Sequence, residues 1–188
     1  LIELGVKDSK LLTPKKREAL YPKILQICQN HHIIKVPPNQ IDKAVLSTRR
    51  LHKLNRLEAQ AMAQVIEALK PDHVFVDAAD VVETRFKLHI HQYLTVKTKI
   101  TSKHKADRTY PVVSAASIIA KVERDREIEH LKIEFGDFGT GYLADDKTMN
   151  FLKLLLTKNG DYPDCVRRSW KPAIKAKADH KKTQTTLS

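Results

Sequence analysis

His73-Val74-Phe75-Val76-Asp77-Ala78-Ala79-Asp80 decides the fold class of this chain. The run from His73 to Val76, closed by Asp77, reads as a buried strand with a carboxylate at its C-terminal end. Upstream, Leu51, Leu54, Leu57, Glu58, Ala61, Met62, Val65, Ile66 and Leu69 recur at three- and four-residue steps, a helix that Pro71 stops. Downstream, residues 83–93 read as another helix. Residues 95–101 then alternate, Val96, Thr98 and Ile100 against Lys97 and Lys99, which predicts a strand with one basic face. After Pro111 a long helix is expected from Val113 to Phe135, with Gly136 as its stop. Strands alternating with helices predict an α/β domain.

The flanks are less periodic. Thr13-Pro14 is a helix start that should run toward Asn30, with Pro22 kinking or breaking it. His31 to Val36 reads as a short strand closed by Pro37-Pro38. Residues 151–158 read as a short helix, and beyond Trp170 a loose helix or disordered tail is expected. No internal repeat is visible.

A length of 188 residues suits one domain with a sizeable core. No apolar run approaches the roughly 20 residues of a membrane helix, and no secretory segment opens the chain, so no membrane role is expected. The start at Leu1 rather than Met reads as a fragment or a processed chain. The formal net charge of +12 points to a polyanionic partner, nucleic acid first, against the alternative of a basic surface or a basic tail alone. Cys28 and Cys165 show no metal-ligand or redox spacing, which favours a reducing cytosol.

Asp77 stands where α/β sheets place their sites. The competing reading is that Asp77 or Asp80 caps the following helix. Between Thr95 and Arg108 there are five Lys or Arg and one acidic residue, Asp107. A carboxylate in such surroundings is either a salt-bridge partner or a ligand for a cation that works beside phosphates. His104 reads as a surface or hydrogen-bonding histidine.

Several motifs then resemble those of one family, ribonuclease HII. Gly5 to Thr13 is similar to its DSKxLT signature, and Val76 to Asp80 to its DAxD strand end. Lys103 to Asp107 followed by Pro111 to Arg126 resembles its most characteristic stretch. Gly139-Thr140-Gly141-Tyr142 resembles its GSGY loop, and Arg168 to Lys171 a short motif near its end. Order and spacing fit over nearly the whole chain, closest in wording to archaeal members.

The resemblance implies an RNase H-like fold, a mixed central sheet flanked by helices with a helical C-terminal region. It implies four carboxylates holding two divalent ions, Mg²⁺ or Mn²⁺, about 3.5–4 Å apart. Two of the four map onto Asp77 and Asp107, the expected catalytic and metal-binding residues. The others belong to a DEAGRG motif, expected to be missing here together with the first strand, and its Gly-Arg-Gly would have read the 2′-OH. Lys10, Lys103 and Lys105 are expected to meet phosphates, and Tyr142 to stack on the sugar at the RNA–DNA junction. Gln184 to Ser188 resembles the start of a peptide that binds a sliding clamp (PCNA), with Gln184 and Leu187 as contacts.

The expected organisation is a catalytic domain over 1–170 and a basic tail over 171–188. The expected activity is cleavage of the RNA strand of RNA–DNA hybrids and at ribonucleotides embedded in duplex DNA, by a cytoplasmic monomer. A nucleic-acid-binding fragment without activity is the alternative; an unrelated basic RNA-binding protein fits the long stretch poorly. If the basic strip from Lys97 to Arg108 tracks phosphates, duplex affinity falls steeply with salt. Charge reversal at Lys103 and Lys105 should then flatten the slope by about one for each phosphate that is no longer neutralised. Titrations across a KCl series check this, and a flat wild-type dependence would leave the charge without that role.

Overall fold

The computed structural model describes residues 1–47 and 53–186. The chain divides into two compact units, one of Leu1–Lys35 with His52–Arg124, the other of Val36–Leu51 with Asp125–Ser188.

In the first unit, the pattern around Asp77 becomes a helix–strand–helix–strand succession: α3 (Lys53–Leu69), β1 (His73–Asp77), α4 (Glu83–His91) and β2 (Lys99–Lys103). The strands pair in parallel, His73 opposite Lys99 through to Asp77 opposite Lys103. Among the described residues the sheet consists of this pair, the parallel part of the mixed sheet that the resemblance implies. One core fills the space between helices and strands: Ala59, Ala63 and Ile66 of α3, Phe86 and Ile90 of α4, Val76 and Ile100 of the sheet. The fully buried line of α3 therefore runs through two alanines and, of the large residues of its sequence stripe, Ile66 among those described. Small side chains admit the neighbouring helix, and Met62 packs at the margin. The helix ends on Lys70 at φ 48°, its N–H on the Ile66 carbonyl at 2.7 Å, just before Pro71.

A second core of this unit joins α1 (Pro14–Ile27), through Leu20 and Ile24, to Ala115, Ile118 and Ile119 in α6 (Pro111–Phe135). Thr13 caps α1 as expected, its hydroxyl accepting the Lys16 N–H at 3.3 Å. Pro22 does not break the helix, which continues to Ile27. The loss of one N–H is offset by burial of Leu20 and Ile24 on either side. The strand expected over 31–36 does not form, since no strand pairs with it among the described residues; Ile33 packs on the second core instead. β2 begins at Lys99, not Thr95: residues 95–98 alternate in burial, but pairing with β1 opens only at Lys99. A single turn, α5 (Ala106–Thr109), links β2 to α6, and Gly136 closes α6 at φ 78°.

The second unit contains α2 (Pro38–Leu46), the C-terminal part of α6, α7 (Asp146–Asn159) and α8 (Lys171–Thr186). Helix α2 has Pro38 at its first position, so the Pro pair expected to close a strand opens a helix instead. The core is Leu152, Leu155 and Leu156 of α7 with Tyr162, Ala173 and Ala176. The Tyr162 hydroxyl donates to the Ala173 carbonyl at 3.0 Å. The segment after Trp170 is thus helical, with two alanines buried. Asp42 of α2 accepts the Arg168 and Ser169 N–H groups at 2.9 and 2.8 Å and so fixes the entry to α8. Among the described residues no helix is long and apolar enough to cross a membrane.

Asp80 holds the loop after β1. Its carboxylate is 1% exposed and accepts from Arg85 through both oxygens, from Asn55 at 3.1 Å and from the Val82 N–H at 2.9 Å. The Arg85 hydrogen bonds hold its carboxyl well below the ordinary 3.8, against the opposing effect of burial. Its contribution to stability is therefore complete above about pH 5 and fades as pH falls through 3.8 toward the depressed value. Asp80→Ala should cost about 2–4 kcal/mol at neutral pH, because three donors lose their acceptor. Urea unfolding should show a lower midpoint at unchanged m-value, and the gap between variant and parent should narrow below pH 4.

Candidate active site

The first residues of the site lie on a single 3₁₀ turn, Ser9–Leu11. Asp8 caps it, Oδ1 accepting the Lys10 N–H at 3.0 Å. The buried Arg17 guanidinium donates to the carbonyls of Ser9 (3.2 Å) and Leu12 (2.7 Å), and the Ser9 and Ser117 hydroxyls meet at 2.8 Å. The turn is therefore tied to α1 and α6, and Lys10 projects from it exposed.

Asp77 ends β1, and the chain leaving β2 returns to it. The Ala78 N–H donates to the Lys103 carbonyl at 2.9 Å, and the Ala106 N–H donates to Asp77 Oδ1 at 3.2 Å. On the other side of the turn, Glu83 accepts the His104 N–H at 2.8 Å and the Lys103 ammonium at 3.1 Å. His104 Nε2 lies 3.3 Å from the Val81 carbonyl and is a hydrogen-bonding histidine. Lys105, between the two anchors, adopts φ 54° and is exposed.

Asp107 follows in α5 and is buried at 8% exposure, its carbonyl accepting the Ser114 hydroxyl. Burial pushes its carboxyl above the ordinary value; the charges of Asp8 and Asp77 push the same way, while Lys10 and Arg108 pull it back. Asp8 and Asp77 thus both act electrostatically on Asp107. The sequence singled out Asp77 and Asp107. Asp8 was visible only as the first letter of the DSK motif, and Glu83 carried no signal, because its partners lie 20 and 21 residues away.

Asp77 and Asp107 offer hard oxygen ligands of the kind Mg²⁺ and Mn²⁺ take. Burial is the main cause of the raised Asp107 carboxyl, and the charges of Asp8 and Asp77 add to it; a divalent ion beside these carboxylates would offset that charge. Among the described residues no group of three or more His, Cys, Asp or Glu side chains is placed to hold an ion by itself.

Tyr142 belongs to the second unit, on the Gly139–Tyr142 loop before α7. Asp145 caps α7 through the Lys147 N–H at 3.0 Å, and its other oxygen takes the Thr140 N–H and hydroxyl at 2.6 and 2.8 Å. Thr148 accepts the Gly141 N–H at 2.9 Å and donates to the Phe138 carbonyl at 3.0 Å. Tyr142 stands 42% exposed on this braced loop. Gln184 falls in the last turns of α8, and Leu187 lies outside the described residues.

The sequence profile of the family described as ribonuclease HII matches residues 1–173. The ribonuclease HII of Pyrococcus abyssi is 42% identical over 189 residues, spanning all of this chain and 82% of that protein. The crystal structure of the Pyrococcus horikoshii ribonuclease H2 superposes with a TM-score of 0.84 at 42% identity, covering 96% of this chain and 83% of the other. Ribonuclease HII in the PCNA complex from Archaeoglobus fulgidus gives 0.79 at 40% identity, covering 93% and 81%.

Gly139 is the position on which the Tyr142 loop turns. It takes φ 85°, and a Cβ there would stand 2.3 Å from Asp145 Oδ2. Gly139→Ala should therefore lose about 1–2 kcal/mol from the backbone alone, and more as the Asp145 cap is pushed aside. Denaturant unfolding of the single and double variants with Asp145→Ala checks the coupling. The double variant should lose less than the sum, and strict additivity would mean that the two do not meet.

Proposed function

The chain belongs to the ribonuclease HII family, whose members are divalent-metal-dependent endoribonucleases, and from this premise we propose that it hydrolyses the RNA strand of RNA–DNA hybrids and cuts at ribonucleotides embedded in duplex DNA. The observation that carries the reading is the convergence of Asp77 and Asp107: the Ala106 N–H sits on the Asp77 carboxylate, and the next residue is a buried Asp whose carboxyl is pushed up partly by Asp77. These two side chains would supply two of the four carboxylate ligands that the family uses for Mg²⁺ or Mn²⁺. With its remaining ligands in place, the site would offer an attacking water and a leaving oxygen the Lewis acidity on which two-metal phosphodiester hydrolysis depends.

The protein's own groups do the positioning. Lys10 and Lys105 meet backbone phosphates. Lys103 joins them when a phosphate takes the place of Glu83 on its ammonium. Tyr142 stacks on the sugar at the RNA–DNA junction, and its braced loop keeps the ring from having to be ordered on binding. Organised in this way, residues 1–170 form the catalytic part and 171–188 a basic arm. Since the Archaeoglobus fulgidus relative is found in a complex with PCNA, Gln184 and Leu187 are assigned to a sliding clamp, a peptide-in-groove contact. Two free cysteines suit a monomer working in the reducing cytoplasm.

Asp77→Asn removes a ligand charge while keeping the side chain's size. Cleavage of a duplex with one embedded ribonucleotide, in Mg²⁺ or Mn²⁺, should fall by roughly 100-fold or more, since loss of residues that merely support a ligand already costs about 10–100-fold. Hybrid affinity without metal should change little. Near-normal cleavage by the variant would remove Asp77 from the site. Binding without cleavage by the parent would leave a nucleic-acid-binding protein.

A further inference from the structure

We propose that Arg108 is a further phosphate-binding residue for the RNA–DNA duplex, its guanidinium held at the rim of the carboxylate site by Asp8. The inference rests on the reading of the site given above and adds to it a residue that no motif assigns. Arg108 meets Asp8 through Nε only, at 3.6 Å from Oδ2, an ion pair longer than a hydrogen bond. The two partners are unequal: the Arg108 side chain is 60% exposed and that of Asp8 5%. The terminal nitrogens of Arg108 have no partner among the described residues, so the fork that matches a phosphate is open to solvent.

Asp8 has a second task. Its Oδ1 takes the Lys10 N–H at 3.0 Å, so one buried carboxylate carries both Lys10 and Arg108. Asp107 feels both cations, and they belong to the same electrostatic neighbourhood as Asp77. Lys103 differs: its ammonium is already on Glu83. The cations ready for an anion at this rim are Lys10, Lys105 and Arg108. Arg108 alone among them is tethered by its side chain, which lowers the entropy lost when it meets a phosphate.

Fluorescence anisotropy of the full chain with a labelled RNA–DNA hybrid, across a KCl series without divalent metal, tests this. Arg108→Gln should weaken binding and flatten the log–log salt slope by about one. Arg108→Lys should keep the slope and lose part of the affinity, because the charge stays and the fork goes. Asp8→Asn should weaken binding more in the parent than in the Arg108→Gln background; equal losses would mean that Asp8 does not act through Arg108. Lys105→Gln separates the two readings. If it flattens the slope and Arg108→Gln does not, Arg108 is only an ion-pair partner and the inference falls alone. If neither changes the slope, the phosphate-facing site of the proposed function falls with it.

Discussion

The pairing register of β1 with β2 is the constraint from which the carboxylate site follows. Asp77 stands opposite Lys103, so the chain leaving β2 can bring the Ala106 N–H to the Asp77 carboxylate within three residues. A slip of one residue would reverse every side chain of β1, turning Val76 out and Asp77 into the apolar core against Phe86. The buried Ala59–Ala63–Ile66 line of α3 and the Phe86 and Ile90 face of α4 fix that register from the other side, since they accept Val76 and Ile100 and no polar group. The core of this unit and its chemistry are thus specified by the same alternation.

Two kinds of carboxylate result. Asp80 is buried with as many donors as its oxygens can take, and its charge is settled. Asp107 is buried with like charges for neighbours and with cations that only partly offset them. Full compensation is what a structural ion pair requires; partial compensation leaves room for an added cation. Asp77, the site candidate, and Asp80, which entered the sequence reading only as a possible helix cap, are sorted by their partners.

That sorting explains what was legible in the sequence. The strand ending at Asp77, the helices on either side and the stop at Gly136 rest on local periodicity and turn chemistry, and these survive folding. The roles of Asp80, Glu83 and Asp8 depend on Asn55, His104 and Arg108, which approach only through tertiary structure. The apparent strand at 31–36 failed for the same reason: its apolar residues are real and Ile33 is packed, but strand formation needs a neighbour. Asp107 lay between these cases. Its cationic setting was legible, whereas its burial was not, and the motif resemblance supplied the difference.

Lys105 carries one more implication. Among the described residues only it and Lys70 adopt a left-handed backbone without being glycine. Lys70 ends a helix, where such a conformation is routine. Lys105 stands instead just before the first residue of α5, between the two points at which Glu83 and Asp77 grip the turn. Glycine would relieve about 1 kcal/mol there, at the loss of a cation beside the carboxylates. The turn therefore sets local conformational comfort against charge placement, and the residue found there favours charge.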